Sequence, residues 1–248
     1  STESPCPGEM SSQCYTTNYL KEPWRGYGPG PPRVFGLIKS GMAWDEAAGH
    51  IYRGGSFGNG AAMRIAPVGL FFWNDHARLR EVAYLSSRIT HSHVLGMEGA
   101  ALQAMAIALA VAENPAMPLS SQSFLSRLIN FATEDVYRTK IAQVSTLLGQ
   151  PEDRQEVVNR LGHGIEAFNS VPTATFAFLA HPQDFVSTVI YAVSLGGDTD
   201  TIASMAGAIA GAYLGIDGLP SQWLGQLENR DYISNLADRL WQTAPGQR

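Results

Sequence analysis

The stretch "SLGGDTDTIASMAGAIAG", Ser194 to Gly211, decides how the chain is read. Two carboxylates and two hydroxyls occupy Asp198-Thr199-Asp200-Thr201, and small apolar residues follow at once. Aspartates this close repel each other and lose hydration on burial, so they either face water or hold a cation. Gly196 and Gly197 end one helix and Asp198 to Thr201 open the next. A carboxylate at a helix N-terminus caps free N–H groups and is favoured by the helix dipole. Capping takes one side chain, whereas Asp198, Asp200 and Thr201 offer hard oxygens within one turn, the donor class that suits Mg²⁺ or Ca²⁺. In the helix expected over residues 200–215, Ala203, Gly207, Gly211 and Gly215 recur on one side. A glycine inside a helix costs about 1 kcal/mol relative to alanine. This face therefore calls for a helix backbone that packs very close.

Outward from this segment the pattern stays helical. Leu102, Met105, Ala106 and Leu109 recur at helical spacing, as do Phe124, Leu128 and Phe131, and Ile141, Val144 and Leu148. Ile233, Leu236, Ala237, Leu240 and Trp241 form the clearest stripe. Ser and Pro punctuate the helix starts at "PLSSQSF" and "QPEDRQEV". Period-two alternation is rare and no hairpin signal stands out. The expected fold is all-α, one domain over residues 1–248, with residues 1–18 polar, unpatterned and flexible. "RGYGPGPPR", Arg25 to Arg33, is rich in glycine and proline and reads as a loop.

A net charge of −5 gives no electrostatic reason for a nucleic-acid or anionic-membrane partner. The longest apolar run, Val189 to Gly215, is broken by Asp198 and Asp200, and neither side reaches the ~20 apolar residues that a span needs. The two cysteines, Cys6 and Cys14, read as free thiols rather than a disulfide scaffold. Residues 1–20 lack the apolar core of a signal peptide. A soluble, intracellular protein is the expectation.

Two further segments carry chemistry. "GGSFGNGAAMR", Gly54 to Arg64, sets Ser56 and Asn59 among glycines that allow close backbone approach and turn N–H groups toward an anion. Phe57 either stacks on a base or fills core. In "THSHVLGMEGA", His91 and His93 sit on a loop before a helix and point apart, so a hydrogen bond to structure or ligand fits them better than a shared metal.

Together, "RGYGPG", "GSFGNGAAMR", "THSHVLG", "GIEAFNSVPTA" and "SLGGDTDTIASMAGAIAGAYLG" resemble the ADP-ribosyl-acceptor hydrolases, the ADP-ribosylglycohydrolase family. The chain is most similar to the branch that acts on serine-linked ADP-ribose, poly(ADP-ribose) and O-acetyl-ADP-ribose. The resemblance implies a compact orthogonal multi-helix bundle and two Mg²⁺ ions beside the scissile ribose. It implies metal ligation by Asp198, Asp200 and Thr201. Gly26 and Gly28, with Ser56, Phe57, Gly58 and Asn59, would then hold pyrophosphate and distal ribose, while Phe57, His91, Ile165 and Ser170 line the ADP portion. The implied partner is ADP-ribose or an ADP-ribosylated protein. The family's remaining metal ligands come from an N-terminal Thr-Asp-Asp-Thr segment, and its acid/base glutamate from a loop before it. This sequence contains no Asp-Asp pair, so no catalytic residue is assigned. The alternative expectation is an inactive ADP-ribose-binding or crystallin-like structural protein. A missing N-terminal segment would also leave core surface exposed, so the expectation is a partner segment, which would leave the protein monomeric, a dimer, or poor stability.

Overall fold

The computed structural model describes residues 7–151 and 153–244. Among these residues the regular structure is helical throughout, and no strand forms. Helices α1 (Pro7–Lys21) and α2 (Gly30–Lys39) lead into the short α3 (Ala47–Ile51), α4 (Gly60–Met63) and α5 (Ala66–Phe71). The body continues through α6 (His76–Arg88), α7 (Val94–Ala112), α8 (Ser121–Phe131), α9 (Asp135–Leu148), α10 (Arg154–Leu161) and α11 (Ala167–Ala180). It ends with α12 (Phe185–Ser194), α13 (Thr199–Leu214), α14 (Ser221–Gln226) and α15 (Arg230–Thr243).

Helix α7 is the axis of the bundle. Residues Gly99 to Ala110 are buried on every side, and α4, α5, α6, α8, α11 and α13 all pack on them. The Leu102–Leu109 stripe is thus one side of a helix that has no wet face. Its alanines make this possible, because small side chains let neighbouring backbones approach. A Cβ on Gly69 of α5 would stand 2.6 Å from the Ala104 carbonyl oxygen. Leu102, Ile107 and Leu109 are fully buried, and each such side chain is worth about 1.5–3 kcal/mol. α7 is long and apolar enough to cross a membrane by composition alone, yet 78% of its apolar window is buried inside the fold. The Val189–Gly215 run is divided between α12 and α13.

One charged group lies in this core. Glu98 of α7 is completely buried and accepts from Arg80 Nη1 at 2.5 Å, the Tyr84 hydroxyl at 2.5 Å and the Thr133 N–H at 2.6 Å. A buried carboxylate persists only with such partners. The cluster ties α6 and α7 to the turn after α8.

Four expectations change. Residues 1–6 lie outside the described residues, but 7–21 form α1 rather than a flexible tail. This helix has no apolar stripe to read. Single aromatic contacts hold it instead: Trp44 against Gly8, Tyr19 against Phe35, and Tyr15 stacked on Arg64 and hydrogen-bonded to Ser86. The loop from Arg25 ends at Pro29, because α2 starts at Gly30 with prolines in its first turn, where their missing N–H groups cost nothing. Gly207 and Gly211 face the Phe185 ring of α12, and a Cβ on Gly207 would also stand 3.4 Å from Val189 Cγ2. The helix that packs against this face is α12, through its Phe185 and Val189 side chains rather than its bare backbone. Gly215 is the C-cap, with φ +69°, not an interior position. The C-terminal stripe is the fourth change. No residue of α15 is buried, and Ile233, Leu236 and Trp241 are 46%, 42% and 64% exposed. Amphipathic spacing identified the helix correctly but not a core face. Exposed apolar side chains also lie at Ile190 and Val193 on the outer side of α12.

Candidate functional site

Five loops meet at one end of the bundle. They are the Arg25–Pro29 turn before α2, the Tyr52–Asn59 turn before α4, Thr90–His91 before α7, Gly162–Glu166 before α11 and Gly196–Asp198 before α13. They surround a cleft of about 610 Å³. Tyr15, Tyr27, Phe35 and Tyr52 form its aromatic part, and Ser56, Asn59, His91, Asp198, Asp200 and Thr201 contribute its polar groups.

Backbone hydrogen bonds from the Gly162–Glu166 loop hold the polar part together. The Asn59 N–H donates to Ile165 O at 2.9 Å and the Ala167 N–H to Phe57 O at 3.0 Å. The Asp198 N–H donates to His163 O at 2.8 Å. The third contact needs Gly197 in the left-handed region, with φ +68°, and a Cβ there would overlap the His163 carbonyl oxygen. Behind the loop, Lys140 of α9 donates to Leu161 O at 2.6 Å and to Asn169 Oδ1.

Asp198 is the N-cap residue of α13, but its side chain makes no capping bond. Its Oδ2 instead accepts from Asn59 Nδ2 at 2.6 Å. The same amide reaches Ser170 Oγ at 3.1 Å, and Ser170 in turn donates to Glu166 O at 3.0 Å. Capping therefore does not explain why this carboxylate is here. Asp200 is exposed, and its Oδ1 accepts the Thr201 N–H at 2.9 Å. Thr201 is nearly buried, its hydroxyl against Met63 Sδ at 3.8 Å. Among the described residues neither aspartate makes an ion pair. No cluster of three or more His, Cys, Asp or Glu side chains is arranged to hold a metal among them either. The hard-oxygen donors present are two carboxylates and one hydroxyl on the first turn of α13, the right class for Mg²⁺ but part of its coordination sphere.

His91 lies beside the glycine turn: a Cβ on Gly60 would stand 3.0 Å from its Nε2. Its Nδ1 is 2.8 Å from the Thr90 hydroxyl. Burial, with Arg64 nearby, pushes its pKa down to about 3, so the ring is neutral at physiological pH. His93 points elsewhere and caps α7, accepting the Leu95 N–H at 3.1 Å. At the mouth, Arg25 is paired with Glu228 at 2.8 Å and Glu22 at 3.0 Å, which holds its guanidinium charged.

Of the residues singled out from sequence, Gly26, Gly28, Ser56, Gly58, Asn59, His91, Ile165, Asp198, Asp200 and Thr201 all line this cleft. Phe57 and Ser170 do not. The Phe57 ring packs against His93 and Phe168, and Ser170 is fully buried behind Asn59. Tyr52 lines the aromatic part where Phe57 was expected, and Tyr15, Asn18, Arg25, Tyr27, Met63, Arg64 and Thr90 join it. Arg25, Tyr27, Met63, Arg64 and Thr90 stand inside the quoted motifs. Tyr15 and Asn18 lie on α1, where no local pattern marks them.

A sequence profile described as ADP-ribosylglycohydrolase matches residues 8–248. The chain belongs to the ADP-ribosylglycohydrolase family. It is 38% identical to ADP-ribosylhydrolase ARH3 of Homo sapiens over 91% of its own length and 70% of that protein's. With ADP-ribosylhydrolase ARH3 of Danio rerio the identity is 36%, over 93% and 70%. A solved "ADP-ribosylglycohydrolase-related protein complex" superposes with a TM-score of 0.63 at 23% identity, covering 96% of this chain and 81% of that one, which shows the shared fold. As an ADP-ribosylglycohydrolase, the chain is a glycosidic-bond hydrolase by family.

Proposed function

We propose that the cleft binds ADP-ribose and that the chain hydrolyses the O-glycosidic bond of its distal ribose, on serine-modified protein, poly(ADP-ribose) or O-acetyl-ADP-ribose, with Mg²⁺ at the Asp198 end. The carrying observation is an N-cap aspartate whose carboxylate leaves the cap to meet Asn59 in the cleft. The identity with the ADP-ribosylhydrolases supports the ligand class. The lining supports its direction: Tyr27 and Tyr52 give an aromatic surface for adenine, the Gly26–Gly28 and Ser56–Asn59 turns offer backbone N–H groups to pyrophosphate, and the hydroxyl-rich ribose reaches the aspartates.

Cleavage at the anomeric carbon passes through an oxocarbenium-like state, which is helped by holding the ribose rigidly and excluding stray water. Asn59 orients the Asp198 carboxylate, and Thr201 and Asp200 complete the oxygen face. When bound there, Mg²⁺ supplies an electrostatic grip on the ribose hydroxyls. A carboxylate must also move the proton, and no residue of this chain is assigned that role. The partial donor set favours a second reading, a chain that binds ADP-ribose without turnover. A serine-ADP-ribosylated peptide incubated with the chain, in Mg²⁺ and in chelator, separates the two. Free ADP-ribose released only in Mg²⁺ supports hydrolysis, and an intact peptide in both rejects it.

A further inference from the structure

Arg64 is not at the reacting end of the cleft, yet it is unusually fixed. Its Nη1 donates to Gly60 O at 3.2 Å, its Nη2 to Ser86 O at 3.2 Å and to Thr90 Oγ1 at 2.9 Å. The guanidinium also stacks on Tyr15, 4.8 Å from the ring centroid. Thr90 is 4% exposed, and its hydroxyl has two partners among the described residues, Arg64 and His91 Nδ1 at 2.8 Å.

These contacts have a direction. A guanidinium has no lone pair to offer, so Thr90 Oγ1 accepts from Arg64 and its own proton cannot return there. His91 Nδ1 is the one remaining acceptor. If Nδ1 itself carried the proton, the threonine oxygen would accept twice and its O–H would be buried without an acceptor, an arrangement that folded proteins avoid. The proton of the neutral imidazole therefore sits on Nε2, the nitrogen beside the glycine turn, which has no protein partner among the described residues.

We propose that Arg64 and Thr90 are positioning residues that fix His91 as its Nε2–H tautomer, so that the ring offers a neutral hydrogen-bond donor to a phosphate or ribose oxygen in the cleft. The low pKa of His91 agrees, since a ring that stays neutral cannot donate from both nitrogens. The ligand side rests on the cleft being an ADP-ribose site, whereas the tautomer is a property of the free chain.

The test is long-range ¹H–¹⁵N correlation of the His91 ring in the whole chain at neutral pH, without ligand. We expect a neutral ring protonated at Nε2 in the native chain. Thr90→Val, nearly isosteric, should release this preference into a mixture of tautomers, and Thr90→Ser should restore it. ADP-ribose affinity by calorimetry should fall about three- to tenfold in Thr90→Val and recover in Thr90→Ser, the size of one neutral hydrogen bond. A native ring protonated at Nδ1, or a Thr90→Val ring identical to the native one, overturns the inference. The native tautomer without any ADP-ribose binding would instead leave the relay standing and remove the proposed ligand.

Discussion

Gly196 and Gly197 allow a controlled perturbation of the site. Both have positive φ, +76° and +68°, so alanine at either carries a left-handed backbone cost of roughly 1–2 kcal/mol. Their surroundings differ. A Cβ on Gly196 would meet nothing nearer than His163 Cδ2 at 3.9 Å, whereas one on Gly197 would overlap the His163 carbonyl oxygen and ring. That carbonyl accepts the Asp198 N–H at 2.8 Å. Gly197→Ala must therefore also break this bond, adding about 1–3 kcal/mol for an unsatisfied group. We expect Gly196→Ala to lose about 1–2 kcal/mol and Gly197→Ala about 2–5 kcal/mol in urea denaturation. Because the Asp198 carboxylate moves with its backbone, only Gly197→Ala should weaken ADP-ribose binding, by more than about tenfold for a displacement worth 1.4 kcal/mol. Equal losses of stability and affinity in the two variants would refute the role given to the His163–Asp198 contact.

Other expectations follow from buried charge. His91 has a folded pKa of about 3 against 6.5 unfolded, so the unfolded chain binds the extra proton between these values. The contribution of His91 is complete above pH 6.5 and falls as pH drops toward 3, by about 2 kcal/mol at pH 5. Denaturant midpoints at pH 8 and pH 5 should diverge less in His91→Gln than in the native chain, and equal divergence would contradict the burial of a neutral ring. Glu98→Ala strands Arg80 and the Thr133 N–H, and should cost about 3–5 kcal/mol in thermal or urea unfolding. A loss under about 1 kcal/mol would show that the cluster is not a fixed part of the core.

The sequence was informative wherever one residue type had one physical use. The glycine pair before Asp198 marked the end of one helix, and crowding hard oxygens beside a buried helix marked the site. It was less informative where a pattern serves two purposes. The α15 stripe repeats at helical spacing but is exposed, because periodicity reports that a helix has an apolar face and not what covers it. α1 has no stripe, since its attachment runs through isolated contacts of Tyr15, Tyr19 and Gly8. Phe57 and Tyr52 are both aromatic and both flank the glycine turn. Tyr52 lines the cleft, whereas the Phe57 ring packs on His93 and Phe168, contacts far apart in sequence. The Arg64–Thr90–His91 relay was hidden for the same reason, because its residues come from two separate motifs that only the fold brings together.

The most direct test of the cleft is a calorimetric titration of ADP-ribose into the chain, in Mg²⁺ and in chelator, repeated with Asp198→Asn. We expect one site per chain, tighter in Mg²⁺, with the metal effect lost in the variant. An affinity unchanged by Mg²⁺ and by Asp198→Asn, or no binding in any condition, would contradict the placing of a cation-assisted ADP-ribose site at the start of α13.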